Sequence, residues 1–211
     1  MQLRWLRIIC AIHLVSKPAA FSFTDTQAGM LQPPPPFVLR PMQPVDIPAV
    51  LAIEKLSFPS SRSEALYIYE LTQNRLAHYQ ALTQLESSGE ETVSGYAGYW
   101  TLSDEIHIST IAVDPALRRQ GLGQLLLLNI LFLSYDHEAS LVTLEVREAN
   151  LGAQELYKKY RFSNGGLRKG YYRDTGEDAV LMTVMLDQTP DYKAFLKQRR
   201  DTIFQQLAPA S

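Results

Sequence analysis

The sequence predicts one α/β domain in which helices pack on a mixed β-sheet. Segments with the alternating pattern of strands bracket segments with the apolar spacing of helices. A basic loop with two glycines, at residues 114–123, joins a strand to a long apolar helix. The composition agrees, because 46% of the 211 residues are hydrophobic and 20% are charged, which is typical of globular chains.

The first half of the domain is predicted to mix strands and helices. In the first helix apolar residues recur at helical spacing, Pro48 fits the first turn, and Pro59 ends the helix. Two of the strands form a hairpin about Ser103-Asp104. In chain order we predict a strand at 37–40, helices at 45–58 and 63–76, and strands at 79–85, 92–102 and 105–113.

The second half begins with the longest apolar helix and ends in an amphipathic tail. In chain order we predict a helix at 122–137, a strand at 141–146, a helix at 152–160, strands at 162–172 and 179–186, and a helix at 191–207. The tail, residues 187–211, has apolar side chains at helical spacing with basic residues between them. We expect it to pack on the domain; a helix that binds a partner is the alternative.

Residues 1–36 are predicted to form an extension ahead of the domain at 37–186. The first 24 residues contain three basic residues, no acidic residue and an apolar run at 8–15, as signal and transit peptides do. The run is shorter than the ~20 residues that span a bilayer. Three interpretations stay open: a targeting segment, a disordered tail, and an extension from a misplaced start codon, with Met30 as the alternative start. Four prolines at 33–36 predict a stiff spacer.

Charge and reactive side chains exclude several functions. The net charge of −2 supplies no overall basic field, so we expect neither direct nucleic-acid binding nor membrane association. Cys10 is the only cysteine, so no intrachain disulfide forms, and no catalytic pattern surrounds it. The histidines lack the spacing of metal ligands, so we predict no metal and expect them to be structural or solvated. They are His13, His78, His107 and His137.

The most informative segment runs from Ile111 to Gly123. A strand leads into a loop with Arg118 and Arg119, and Gly121-x-Gly123 then opens the long helix. Amide groups at a helix start have no intrahelical acceptor, and the helix dipole attracts anions there. The glycines let a pyrophosphate approach the backbone, and the arginines add charge. A plain helix cap with two solvated arginines is the alternative.

Two common phosphate motifs do not fit this segment. Position 126 is leucine, where a dinucleotide fingerprint has its third glycine, and no Gly-Lys-Ser/Thr follows. Arg118-x-x-Gly121-x-Gly123 instead resembles the acetyl-CoA signature of the GNAT acetyltransferase superfamily. The preceding Ile-Ala-Val-Asp-Pro also matches that signature.

The resemblance continues downstream and covers about residues 37–186. The run Leu-Glu-Val-Arg-Glu-Ala-Asn at 144–150 and the helix at 153–162 are similar to the elements that follow in that superfamily. The set is most similar to the RimI-like branch, the ribosomal-protein-alanine N-acetyltransferases. The resemblance implies a GNAT fold: a central, mixed, mostly antiparallel sheet of six to seven strands, flanked by about four helices and splayed at the acetyl-CoA site.

The resemblance also implies how acetyl-CoA is held. The backbone of residues 111–113 pairs with the pantetheine arm, and the N–H of Val113 polarises the acetyl carbonyl. Asn150 matches a CoA-contacting asparagine, although Asn also caps helices well and both roles are compatible. The implied cofactor-binding residues are Ile111, Ala112, Val113, Arg118, Arg119, Gln120, Gly121, Leu122, Gly123, Gln124 and Asn150.

Two further residues carry the implied chemistry. Glu145 matches the catalytic glutamate and is the candidate base that takes a proton from the acceptor ammonium. A solvent-facing strand residue paired with Arg147 is the alternative. Tyr157 matches the tyrosine that donates a proton to the departing thiolate, and a packing aromatic is its alternative.

The acceptor side departs from the family pattern. The loop at 58–63 reads Phe-Pro-Ser-Ser-Arg-Ser and lacks the tryptophan found in the family, which leaves peptide specificity in doubt. By the same analogy Tyr171, Tyr172 and Glu177 line the acceptor side, unless they are only a hairpin surface.

The leading hypothesis is an acetyl-CoA-dependent acetyltransferase of a protein N-terminal α-amine, on a ribosomal protein or a similar partner. Acetylation of lysine or of a small amine such as a polyamine is one alternative. A non-catalytic acyl-CoA-binding module is another. The need for acetyl-CoA favours the cytosol, with an organelle matrix not excluded, and the oligomeric state is left open.

Overall fold

A seven-stranded sheet with five α-helices makes up the computed structural model, which describes residues 29–209. Residues 1–28, with the apolar run, Cys10 and His13, lie outside the described residues. The strands are β1 (Phe37–Pro41), β2 (Ala77–Leu85), β3 (Glu91–Leu102), β4 (Glu105–Val113), β5 (Leu141–Arg147), β6 (Ser163–Tyr172) and β7 (Glu177–Met185). The helices are α1 (Ile47–Ser57), α2 (Glu64–Thr72), α3 (Leu122–Asp136), α4 (Leu151–Lys159) and α5 (Tyr192–Leu207).

The sheet has the order β1-β2-β3-β4-β5-β7-β6. Only the β4–β5 pair is parallel, and every other neighbouring pair is antiparallel. This mixed, mostly antiparallel sheet confirms the predicted fold class. The one parallel pair follows from α3, which carries the chain back across the sheet between β4 and β5.

The sheet opens at a β-bulge in β4. Gly98 pairs with Thr110 and Tyr99 pairs with Ile108, so Ser109 is an extra residue on the β4 strand. Pairing with β5 ends at the same place, because the last pair is Ile108 with Leu144. A bulge bends its strand and ends regular pairing. Beyond it, β4 and β5 diverge and leave a gap in the sheet.

Each face of the sheet carries its own core. Helices α3, α4 and α5 cover one face, and α1 and α2 cover the other. Helix α3 is apolar almost all round because the sheet covers one side of it and α5 packs on it from outside. No helix among residues 29–209 is long and apolar enough to cross a lipid bilayer.

Segments on both sides of the predicted domain also enter the core. Met30 and Leu31 are buried, and the Leu31 amide donates to Asn129 Oδ1 of α3 (2.7 Å). Helix α5 buries four apolar side chains in the same core, and they are Tyr192, Leu196, Ile203 and Leu207. The division of the chain at residues 36 and 186 stays a prediction.

The first two helices are shorter than the sequence pattern predicts. Helix α1 begins at Ile47 after a 3-10 turn that contains Val45. Val45 and Leu56, taken as part of its apolar pattern, are 76% and 67% exposed, Leu56 because it lies on the outer side of the helix. Helix α2 ends at Thr72, because the amide of Leu76 bonds to the Asn74 side chain in a turn. Tertiary contacts select which apolar residues face inward.

Two histidines pack together on the α3 face of the sheet, as structural residues. The His78 ring stacks on Tyr99 with centroids 5.0 Å apart, and the Tyr99 hydroxyl lies 3.3 Å from His137 Nε2. Burial, with a smaller contribution from His137, lowers the pKa of His78 to about 4. Burial also lowers the pKa of His137, against an opposing effect of Asp136. The fold therefore holds His78 neutral.

This cluster predicts a loss of stability in acid. The unfolded chain protonates His78 below about pH 6.5, whereas the folded chain resists until about pH 4. The free energy of unfolding should therefore fall as the pH drops through this window, by at most about 3 kcal/mol from His78. Urea unfolding of His78→Phe at pH 7 and pH 4.5 should show a smaller loss than wild type. Equal losses in both proteins would contradict the assignment.

Candidate active site

The gap between β4 and β5 exposes backbone groups of β4. The Asp114 amide donates to Ser94 of β3 (2.9 Å), and Ala112 pairs with Tyr96 of the same strand. Successive peptide groups in a strand point in opposite directions. The N–H groups of Ile111 and Val113 therefore point into the gap, where an extended molecule could pair with them as an added strand.

The basic loop ends at the first turn of α3, beside this gap. Gly121 is the N-cap with φ of +94°, a conformation in which a side chain would be strained. The first bond of the helix runs from the Leu125 amide to the Gly121 carbonyl (3.0 Å). The preceding amides of the helix start have no intrahelical acceptor, which is the geometry that binds phosphate.

The arginines of this loop differ in their surroundings. The Arg118 guanidinium donates to the carbonyl of Val113 (3.2 Å) and to Ser57 Oγ at the end of α1 (2.7 Å). Arg119 has a left-handed backbone with φ of +67° and is exposed together with Gln120. Arg118 therefore joins the loop to α1, and a role in phosphate binding would require it to exchange these bonds.

The remaining predicted cofactor residues lie around the same helix start. Leu122 is buried in the core, and Gly123 lies between Leu156 of α4 and Val113. Gln124 accepts hydrogen bonds from Tyr160 and Arg199. Asn150 caps α4 by accepting from the Ala153 amide (3.1 Å), as its alternative role requires. Contact with the cofactor stays a prediction for all of them.

Glu145 lies where β5 leaves β4, and its side chain is only 4% exposed. Its neighbours Leu144 and Val146 point into the α3 core, so its carboxylate is on the opposite face. Oε2 lies 3.1 Å from His107 Nε2, and Oε1 lies 2.7 Å from Arg168 Nη1. The carboxylate is thus buried and paired with these two residues, whereas Arg147 contacts other acids.

The surroundings of Glu145 keep its carboxylate charged. Burial raises its pKa, but the hydrogen bond and charge of His107, the charge of Arg168 and a hydrogen bond with Tyr171 together lower the pKa below its usual value. We expected His107 to be merely structural or solvated and did not predict its contact with Glu145. Alternation along β4 could place His107 on this face, but only the register with β5 brings it to Glu145.

Tyr157 lies on the other side of the gap and stays protonated. Its side chain is buried beside Phe162, with ring centroids 5.8 Å apart. Burial raises its pKa well above the ordinary value, and the neighbouring Tyr172 adds to the shift. The Tyr172 hydroxyl in turn donates to the backbone carbonyl of Glu145 (3.3 Å). The structure therefore brings both predicted catalytic residues next to Tyr172.

The loop between α1 and α2 is fixed by a buried carboxylate. Glu54 is 1% exposed and accepts hydrogen bonds from the hydroxyls of Tyr67 and Tyr96, both at 2.7 Å. It also binds Arg62 through the backbone amide (2.6 Å) and the guanidinium (3.1 Å). Arg62 Nη2 also donates a hydrogen bond to the carbonyl of Ser109, the bulge residue (2.9 Å). The loop without tryptophan is thus tied to the bulge that opens the sheet.

A second set of charges joins this loop to the turn between β6 and β7. Arg147 pairs with Asp174 (2.7 Å) and Glu177 (3.1 Å) and lies over the Tyr172 ring, 3.9 Å from its centroid. Ser60 Oγ of the loop donates to Asp174 (2.9 Å). Glu177, expected to line the acceptor side, also accepts from the Ala149 amide, so its carboxylate holds the turn.

Known proteins resemble this chain in sequence and in fold. A Bacillus subtilis (strain 168) protein, provisionally named ribosomal protein bS18-alanine N-acetyltransferase, is 39% identical over 150 residues, covering 71% of this chain and 96% of that protein. The Escherichia coli (strain K12) protein named ribosomal protein bS18-alanine N-acetyltransferase is 30% identical over 154 residues, covering 68% and 93%. The crystal structure of the ribosomal-protein-S18-alanine N-acetyltransferase from Escherichia coli matches with a TM-score of 0.63 at 27% identity, covering 74% and 97%.

These features define an acyltransferase with a splayed sheet. The family model described as "Acetyltransferase (GNAT) family" matches residues 47–162, more than half of the chain. The chain belongs to the GNAT acetyltransferase family. The RimI-like resemblance of the sequence is confirmed by the names and identities of these relatives.

Removal of the contact between Arg62 and Glu54 is expected to destabilise the fold strongly. Arg62→Leu should lower the free energy of unfolding by about 3 kcal/mol, because it leaves a buried carboxylate without its cation. Urea denaturation measures the loss. Arg75→Leu is the control, since Arg75 is exposed and should change stability by no more than about 0.5 kcal/mol. Equal effects of the two substitutions would contradict the role given to Arg62.

Proposed function

We propose that this protein transfers an acetyl group from acetyl-CoA to the N-terminal α-amine of a protein. The observation that carries the proposal is the buried, charged carboxylate of Glu145 at the point where β4 and β5 separate. A general base belongs at that point, because the amine must lose a proton before it attacks. The names of two relatives, both N-acetyltransferases, support the same chemistry.

The weak basicity of Glu145 favours an α-amine over lysine. Its pKa lies below the usual value for glutamate, so it removes protons poorly from a strongly basic amine. A protein α-amino group has a pKa of about 7.7–8.0, whereas that of lysine is about 10.4. The α-amine therefore costs less to deprotonate, by roughly 3 kcal/mol.

The described residues fit acetyl-CoA without rearrangement of the sheet. The gap offers the N–H groups of Ile111 and Val113 to an extended arm, and the α3 start offers amides to phosphates. Acetyl-CoA supplies the activated acetyl group and a thiolate leaving group. The N–H of Val113 would polarise the acetyl carbonyl, Glu145 would accept the ammonium proton, and Tyr157 would donate its hydroxyl proton to the leaving sulfur.

The acceptor is proposed to be an exposed protein N-terminus, such as that of a ribosomal protein. The two relatives named for ribosomal protein bS18-alanine motivate this choice. The acceptor would enter between the loop at 58–63 and the β6–β7 turn, which Ser60 and Asp174 join. The cytosol supplies both acetyl-CoA and such acceptors, so we place the reaction there.

A panel of acceptors tests the proposal. Purified protein and acetyl-CoA are incubated with peptides that begin with Ala, Ser or Met, with the same peptides blocked at the N-terminus but carrying lysine, and with polyamines. CoA release and product mass are followed. Transfer only to free N-termini is expected. Transfer to the blocked peptides or the polyamines would replace the proposal with lysine or small-amine acetylation. CoA binding without any transfer would favour a binding module.

Replacing Glu145 should remove the base. Glu145→Gln is expected to lower kcat/KM by about 100-fold or more at pH 7. The deficit should shrink near pH 9.5, where the α-amine is already neutral, and a purely structural defect would not recover in this way. Glu155→Gln is the control, because Glu155 is exposed on α4 and pairs with Lys158.

Replacing Tyr157 should remove the acid. Tyr157→Phe keeps the buried ring and is expected to lower kcat by about 100-fold with little change in the KM for acetyl-CoA. Tyr99→Phe removes another buried hydroxyl, which lies beside His137 at the end of α3, and should retain kcat. Steady-state kinetics with the best peptide of the panel measures both, and an unchanged kcat in Tyr157→Phe would rule out its role as the acid.

A further inference from the structure

Helix α5 lies along α3 in the opposite direction. Lys193 at its start lies over the ring of Tyr135 near the end of α3, with its Nζ 4.9 Å from the centroid. Arg199 contacts Gln124, and the side-chain oxygen of Gln206 lies 3.9 Å from the point where a Cβ on Gly121 would stand. The second half of α5 therefore lies beside the start of α3. This helix is outside residues 47–162, which the family model matches.

Arg199 of α5 contacts the first turn of α3. Its Nη2 donates to Gln124 Oε1 (2.9 Å), and its guanidinium lies 5.6 Å from the centroid of the Tyr160 ring. The Tyr160 hydroxyl donates to the same oxygen of Gln124. Arg199 Nε is buried and has no hydrogen-bond partner in the part of the chain that the structure describes.

The charge of Arg199 is also uncompensated. Within residues 29–209 no carboxylate lies within the 4.0 Å of an ion pair with it. The adjacent Arg200, by contrast, pairs with Asp201 at 2.7 Å. A half-buried cation next to the positive end of a helix dipole is unfavourable by itself. An anion bound there would satisfy both the guanidinium and the helix start.

We propose that α5 completes the cofactor site, with Arg199 binding a phosphate group of CoA beside the first turn of α3. This inference rests on the proposed use of acetyl-CoA. It adds to that site a residue from outside the matched family region. Arg199 and the amides at the start of α3 approach the phosphate from two directions, and Gln124 holds the guanidinium in place.

Calorimetry with CoA and with 3′-dephospho-CoA tests the inference on the full chain. Arg199→Gln is expected to bind CoA at least about 10-fold more weakly than wild type, as for the loss of a charge-assisted hydrogen bond. Arg199→Lys should be intermediate, because it keeps the charge without the planar donor pair. The difference in CoA affinity between wild type and Arg199→Gln should become smaller at high salt.

Arg200→Gln is the matched control, since it removes the same charge from the neighbouring position of α5. It should bind CoA as wild type does, and thermal unfolding checks that both variants fold. A deficit of Arg199→Gln that disappears with 3′-dephospho-CoA assigns Arg199 to the 3′-phosphate, and one that persists assigns it to the pyrophosphate. If Arg199→Gln and Arg200→Gln bind both compounds equally well, the inference is wrong while the proposed function stands. If wild type binds no CoA, the proposed function itself fails.

Discussion

The hydrogen bond from Arg62 to the carbonyl of Ser109 (2.9 Å) links the loop between α1 and α2 to the bulge at which the sheet opens. Ser109 is the extra residue of the bulge, and β4 and β5 separate directly after it. A bulged peptide group leaves the regular pairing of its strand and needs another partner. Arg62 supplies that partner, and buried Glu54 neutralises its charge. The gap, the amide of Val113 that points into it and the position of Glu145 beside it all depend on this bend.

The charges around the gap are arranged in compensated groups. Glu54 is matched by Arg62, Glu145 by His107 and Arg168, and Arg147 by two acids of the β6–β7 turn. Removing a charge from water is costly unless a partner is present. Compensation therefore keeps Glu145 ionised, although burial by itself raises the pKa of its carboxyl group. At Tyr157, by contrast, burial and the neighbouring Tyr172 keep the proton in place. An ionised carboxylate and a protonated phenol, the proposed base and the proposed acid, thus both have Tyr172 as a neighbour.

Much of the fold follows from local pattern. Alternation located all seven strands, and helical spacing with Pro59 and the two loop glycines located the helices to within a few residues. The family signature then indicated the gap and nominated Glu145 and Tyr157. Local pattern failed where packing selects among apolar residues, as at Val45 and Leu56, which are exposed. It also could not identify the contacts of His107 and Arg168 with Glu145, or that of Arg62 with the Ser109 carbonyl, because each joins residues that are distant in sequence.

The sequence by itself determined the order of strands and helices, the glycine-containing start of α3 and the family. These depend on residues close together along the chain, where spacing and backbone preference act directly. Only the tertiary structure decided the register of β4 on β5, the position of the bulge, the partners of Glu145, and the packing of α5 beside Gln124. Each of these joins segments that are distant in sequence. Their pairing is set by the sum of many packing and charge contacts across the sheet, and no local pattern encodes that sum.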